Sequence, residues 1–294
     1  MRIVLLVLGT LTVVSCTIGV TPDAGNFSSN PTSTPVTPGQ INEASGLADS
    51  RTQPGNLWIE QDSGSPAELA LLGYDGKLKG KMSIPNTTNI DWEDMTIGPG
   101  PQDGKNYIYI ADIGDNNAQR PTSVLYRFIE PANLQETIGQ VERINYKYPD
   151  GPRDAEAFIV DPQTRDTWII SKREEKVHLY RLPYPQDINQ VTTLQTYGEL
   201  PSFGDGLAGY VTSAAISPDG GEILVRTYTG IFYWKRTSGQ TVADALQKGT
   251  RSLLTSRMEP QGEAICFDKD GKGFFTISEL ASASSVNLYY YARQ

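Results

Sequence analysis

Cysteine and histidine are nearly missing from this chain, which holds two cysteines, Cys16 and Cys266, and one histidine, His178. A single imidazole disfavours Ser-His-Asp or Cys-His nucleophilic catalysis and makes a soft-ligand metal centre improbable. No glycine-rich phosphate loop is present. Positive charge is in deficit too: 25 Lys and Arg against 34 Asp and Glu give a net charge of -9 and a pI near 4.8. That leaves no bulk phosphate-neutralising surface and argues against nucleic acid as a partner. Helical periodicity is absent except for one short stretch, "TVADALQKG". The one long apolar run, "IVLLVLGTLTVV", has twelve residues, where crossing a bilayer takes about 20.

That run follows the positive Arg2 and ends in "VVSC", so residues 1–15 read as an export signal. Val13-Val14-Ser15-Cys16 resembles a bacterial lipobox. The resemblance implies cleavage before Cys16 and lipidation of its thiol, with ordinary signal-peptidase cleavage as the alternative. Only Cys266 then remains, and no intramolecular disulfide can form. Residues 16–40, rich in Thr, Ser, Pro, Gly and Asn, bury too little to fold alone and read as a tether. The expectation is an exported domain, residues 41–294, held at a bacterial membrane only through its lipid, in the periplasm or at the cell surface.

What the sequence does have is turn-formers and β-formers: 28 Gly, 19 Pro and 15 Tyr, the composition of short strands joined by tight turns. From residue 41 a pattern recurs in "NEASGLADS", "DWEDMTIGPG", "DAEAFIVDP", "VTSAAISPDG" and "QGEAICFDKDG". Markers Glu43, Glu93, Glu156, Ser213 and Glu263 stand 50, 63, 57 and 50 residues apart. Each interval holds four strands of about six residues with their loops. Aromatic or β-branched second strands ("NLWIEQD", "NYIYIADIG", "DTWIISKRE", "EILVRTYTG", "GFFTISE") and third strands follow in every repeat. The predicted fold is all-β: a five-bladed β-propeller with four antiparallel strands per blade. Because the fifth repeat ends after three strands, residues around 33 to 41 should supply the missing outer strand and close the ring. Six blades, the alternative, would need a further repeat.

Inner strands line a propeller's central channel, so the five markers converge on its axis. Carboxylates about 5 Å apart there repel by roughly 3 kcal/mol per pair at an effective dielectric near 20. They need a proton, water or a cation. Ca²⁺, which accepts 6 to 8 oxygen ligands in loose geometry, suits this better than Mg²⁺. Each Glu capping its own strand without a metal is the structural alternative, and His178, in a third strand, reads as a packed or edge residue.

The series Ser45, Glu93, Glu156, Ser213, Glu263 resembles the axial calcium ring of the five-bladed apyrases, the calcium-activated nucleotidases. It implies calcium bound by these five residues and favours Ser45 over Glu43 in the first blade. "DWED", "ADIGDNNAQR" and "DAEA" are similar to segments of exported bacterial propeller proteins without an established activity. The nucleotidases' substrate-binding residues have no match here, so their activity does not carry over. Loops after the second strands should share the ring's face and form a polar funnel with Asp62, Asp112, Asp115, Asn116, Arg120, Lys172, Arg173, Arg226 and Glu279. Two functions fit it. One is a module binding a small ligand or a protein on that face. The other is a calcium-dependent hydrolase of phosphate esters, nucleotides or glycosides, with Arg153, Lys172, Arg173 and Arg226 as clamps and Asp112 or Asp115 as base.

Overall fold

In the computed structural model residues 27–294 are described; Cys16 and the leader 1–15 lie outside the described residues. Five antiparallel sheets stand in sequence, each beginning with an inner strand: Ala44–Asp49, Trp92–Pro99, Ala155–Val160, Val211–Ile216 and Gln261–Phe267. Second, third and outer strands follow as hairpins in each of the first four blades. Blade five takes its outer strand, Thr32–Pro35, from the other end of the chain, pairing Thr32 with Tyr290 and Pro35 with Asn287. The chain is a five-bladed β-propeller closed by an N-terminal strand. No helix among the described residues is long and apolar enough to cross a membrane.

The core is five clusters, one between each pair of neighbouring blades. Each strand presents apolar residues to both sides because its blade is sandwiched, which is why the inner strands are buried along nearly their whole length. Polar groups tie the blades as well. The Glu130 carboxylate of blade two accepts from Ser50 Oγ (2.8 Å), Arg51 N (2.9 Å) and Trp58 Nε1 (3.1 Å) of blade one. The buried Arg236 of blade four donates to Asp161 of blade three at 2.9 Å.

Turn chemistry follows the sequence with one exception. In "DKDGKG" the Asp268 carboxylate accepts from the amides of Asp270 (3.0 Å) and Lys272 (2.8 Å). In "DPQTRD" the left-handed position falls on Arg165, with φ of 65°, a conformation that Asp, Asn and Gly adopt more readily. The predicted short helix is Val242–Lys248, its first turn capped by Thr241 Oγ1, which accepts from Asp244 N at 3.0 Å.

Two departures concern edges. The fold takes in the stretch read as tether from Phe27 onward, before the residues expected to close the ring: Phe27 packs edge-on against Phe274 at 4.9 Å, and Val36 is buried. Composition misleads there because an edge strand is held by backbone hydrogen bonds, and Pro35 costs none at the open side. Blade two gains a fifth strand, Thr192–Thr193, running parallel to Glu142–Lys147. Two residues carry no pattern from which to predict it.

Candidate functional site: an axial cluster of carboxylates

Every inner strand carries a β-bulge near its start, where two of its residues face one on the second strand. The extra residues are Ser45, Glu93, Glu156, Thr212 and Glu263. A bulge bends its strand and re-aims the unpaired side chain. Here all five are at most 5% exposed and meet across the axis.

Four residues of the series Ser45, Glu93, Glu156, Ser213, Glu263 occupy bulges, Ser45 rather than Glu43 doing so in the first blade, and the fourth blade shifts by one residue. Thr212, not Ser213, occupies the bulge. Its hydroxyl donates to Gly262 O of the next blade at 2.8 Å, as Ser45 Oγ donates to Glu93 O at 2.8 Å. Ser213 sits one residue further along the channel and donates to Asp94 Oδ1 at 3.0 Å. Asp94, which flanks Glu93 in "DWED", is fully buried on the axis. It also accepts from the amides of Phe158 and Ala214, each at 3.3 Å, so its carboxylate joins blades two, three and four. Glu60 comes from a second strand and was not anticipated. It reaches inward over Gly46, where any Cβ would stand 2.6 Å from its Oε1, and both its carboxylate oxygens lack hydrogen-bond partners among the described residues.

Above this level the acids crowd. Carboxylate oxygens of Asp62, Asp91 and Glu93 lie within 4.8 Å of one another, as do those of Glu93, Asp154 and Glu156. Glu93 belongs to both groups. The Gly114 backbone closes over them: a Cβ there would be 2.1 Å from Glu93 Oε1 and 2.4 Å from Asp91 Oδ2. One ammonium stands among the acids. Lys172 Nζ contacts Glu156 Oε1 and donates to Tyr228 OH at 2.9 Å, while Glu156 Oε2 is buried without a hydrogen-bond partner among the described residues. Lys172, expected as a clamp in the funnel, has a side chain only 4% exposed.

Burial, and then repulsion from Glu156, Asp62 and Asp91, holds Glu93 well above the usual carboxylate range. Glu263 is raised well by burial and by Glu156. Burial outweighs the neighbouring Lys172 and pushes Glu156 up to about 8. Glu279, bridged to Glu263 through the Gln261 amide, is pushed up to about 7. Burial alone would lower Lys172, but Glu156, Tyr228 and Glu263 hold its ammonium above the ordinary value.

The proposed clamps and bases are committed elsewhere. Arg226 is not in the funnel: its guanidinium is buried between blades four and five, donating to Ala264 O (2.6 Å), Ile277 O (3.1 Å) and Glu259 Oε1 (2.6 Å). Asp112 is fully buried against Arg120 at 2.7 Å. Asp115 closes its own loop by accepting from the amides of Gln119 (2.9 Å) and Arg120 (2.7 Å). Arg153 pairs with Asp150 and Glu174, and Arg173 with Asp154 and Asn116. His178 is half-buried in its third strand, its ring stacked 6.2 Å from that of Tyr180.

No protein family and no curated protein matches the chain. Solved structures do. A Dos1 propeller shares 10% identity over 84% of this chain and 68% of its own, with a TM-score of 0.39. The β-propeller domain of Cps50 (Swd1) from Myceliophteria thermophila shares 11% over 83% and 82%, with a TM-score of 0.40. Hydrazine synthase of Kuenenia stuttgartiensis shares 12% over 88% and 98%, with a TM-score of 0.43. The assignment as a five-bladed propeller rests on this chain's own sheets.

Two outcomes follow from the geometry. Arg226→Ala strands a buried Glu259 carboxylate and should cost about 3–5 kcal/mol in urea denaturation; an unchanged midpoint would return Arg226 to the funnel. The raised carboxyls hold protons when folded that they release when unfolded. Their stabilising contribution is complete below pH 4.5 and lost as pH climbs through about 7 to 8. In cation-stripped buffer Tm should therefore fall between pH 5 and 8 by scanning calorimetry, and a flat or rising Tm would refute the charge assignment.

Proposed function

We propose that the protein is an exported, lipid-tethered binding module whose axial carboxylates hold a calcium ion facing the funnel. The observation that carries this reading is Glu93 standing in two carboxylate groups at once, beside a buried Glu156 Oε2, with only Lys172 and Arg173 as cations on these five acids among the described residues. Such a set is all oxygen and net negative, which suits a hard cation. Asp62, Asp91, Glu93, Asp154 and Glu156 would be its ligands. Thr212 and Ser45 hydroxyls are engaged with carbonyls and would serve the ring by bridging blades. A cation at this place would supply the positive charge that the acids lack, and its open side would accept an oxygen group of the bound partner. Binding is favoured over hydrolysis because the funnel's guanidinium and ammonium groups are already paired with its own acids.

Full-length protein treated with chelator should gain about 5 to 10 °C in Tm at calcium a hundredfold above its Kd. Magnesium should give a smaller gain. Glu93→Gln should remove most of the gain, and so should Gly114→Ala, whose methyl displaces two of the ligands. No calcium-dependent shift, or an equal shift in both variants, would end the proposal. The anchor is tested separately: Cys16→Ser should move the protein from the membrane fraction to the soluble fraction of the periplasm or medium. Continued sedimentation with membranes would show that Cys16 is not the attachment point.

A further inference from the structure

At the face opposite the axial ring, where blades one and five meet beside the closing strand, lies a cavity of about 380 Å³. That volume suits a small organic molecule. Three aromatic rings form one side of it. Phe275 of blade five stands 4.8 Å from Tyr74 of blade one and 4.6 Å from Tyr290 of its own sheet, the flanking rings tilted by 40° and 38°. Both tyrosine hydroxyls are turned onto carboxylates: Tyr74 donates to Asp49 Oδ1 at 2.7 Å and Tyr290 to Asp268 Oδ2 at 2.6 Å.

The charges are unevenly matched. Asp49 and Asp268 accept only from neutral donors: the tyrosines and, between them, the amides of Lys269, Asp270 and Lys272. The two lysine ammoniums are drawn away to Asp270, at 2.9 and 3.8 Å. Both lysines line the pocket, and Lys269 and Arg51 are in electrostatic reach of Asp49 without pairing with it. An apolar wall thus adjoins two carboxylates with no ion-pair partner among the described residues.

We propose that this seam pocket binds a small organic cation of the quaternary-ammonium class. Ring faces attract a cation through their quadrupole, most strongly when water is excluded, and methyl groups on nitrogen cover apolar ring surface that an inorganic ion leaves wet. Asp49 and Asp268 supply the opposite charge. The lining comes from both blades and from Thr32 and Thr34 of the closing strand, so an occupant fastens the seam where the ring closes.

The test titrates the full-length protein with choline chloride by isothermal calorimetry at constant ionic strength. Parallel titrations use the uncharged isostere 3,3-dimethylbutan-1-ol and methyl glucoside. Choline should bind saturably and raise Tm, and the isostere should bind about tenfold more weakly. Tyr74→Ala, at a residue that is 36% exposed, should weaken choline about tenfold. Tyr74→Leu, which keeps the bulk and removes the ring face, should do the same and serves if the alanine variant is unfolded by circular dichroism. Vesicles of phosphatidylcholine distinguish a lipid headgroup from a free ligand, since choline should compete for either. Absence of saturable choline binding, equal binding of the isostere, preference for methyl glucoside, or unchanged affinity in a folded Tyr74 variant would overturn the assignment. Chelator should leave choline binding unaltered, so this outcome is independent of the axial calcium.

Discussion

One residue too many, at the same point of all five inner strands, shapes the working end of this propeller. A regular inner strand would alternate its side chains between the two neighbouring blades, and the channel would receive little but backbone. The bulge breaks that alternation for one residue and turns it to the axis. Because the break recurs in every blade, Ser45, Glu93, Glu156, Thr212 and Glu263 become neighbours despite separations of about fifty residues in sequence. Two of these positions, the hydroxyls of Ser45 and Thr212, spend their polarity on carbonyls of the next blade. The three glutamates have no such outlet, and the electrostatics of the site grow from them.

The acids are tolerated in layers. Deep in the channel Asp94 is satisfied by three blades' worth of hydrogen bonds, so it acts as a hub for the ring even while burial raises its pKa well above the ordinary carboxylate value. Glu60 has no comparable set, and its burial is offset by protonation: burial first, then Asp62 and Asp94, hold it well above its usual range. Higher up, Lys172 neutralises part of Glu156 and lies too far into the cluster to serve the solvent. Protons, hydrogen bonds and one lysine thus share the task of relieving like-charge repulsion. The first of these remedies weakens as pH climbs through the values of about 7 and 8 to which burial pushes Glu279 and Glu156. Under the proposed function a cation would take over the same electrostatic role, and would do so best as rising pH removes the protons it competes with.

Much of the fold was legible because the signals were local. Alternating β-branched and aromatic runs, Asp-based hairpin turns and a fifty-residue repeat are each contained within one blade, and their count gives the ring. The missing strand of blade five followed from closure alone. What stayed hidden depended on neighbours. "VTSAA" admits two registers, and only the pairing of Val211 with Thr227 and Ser213 with Arg226 selects Thr212 as the bulge. Arg226 looks like an exposed clamp until blade five is placed over it. "SKREEK" reads as a solvated charge run, yet its first lysine follows a buried strand end and turns inward to Glu156. Glu60 was invisible because its approach to the axis depends on the absence of a side chain at Gly46.

The direction of the closing strand links the two ends of the ring. Inner strands begin at the face that carries the carboxylates, and third strands run the same way, so Asn287 lies near that face and Ala292 near the other. Thr32–Pro35 is antiparallel to Asn287–Ala292, and Phe27 bridges to Arg293. The chain therefore enters the propeller at the face away from the carboxylates and climbs towards them before starting blade one. If Cys16 carries the proposed lipid, this strand direction would place the seam side nearer the point where the chain leaves for the anchor, and the axial cluster at the far face. An oxygen ligand arriving from solution would then meet the acidic funnel first. The seam pocket, with its aromatic wall, would look towards the membrane side, and its occupant would act on the strand through which any pull on the anchor reaches the fold.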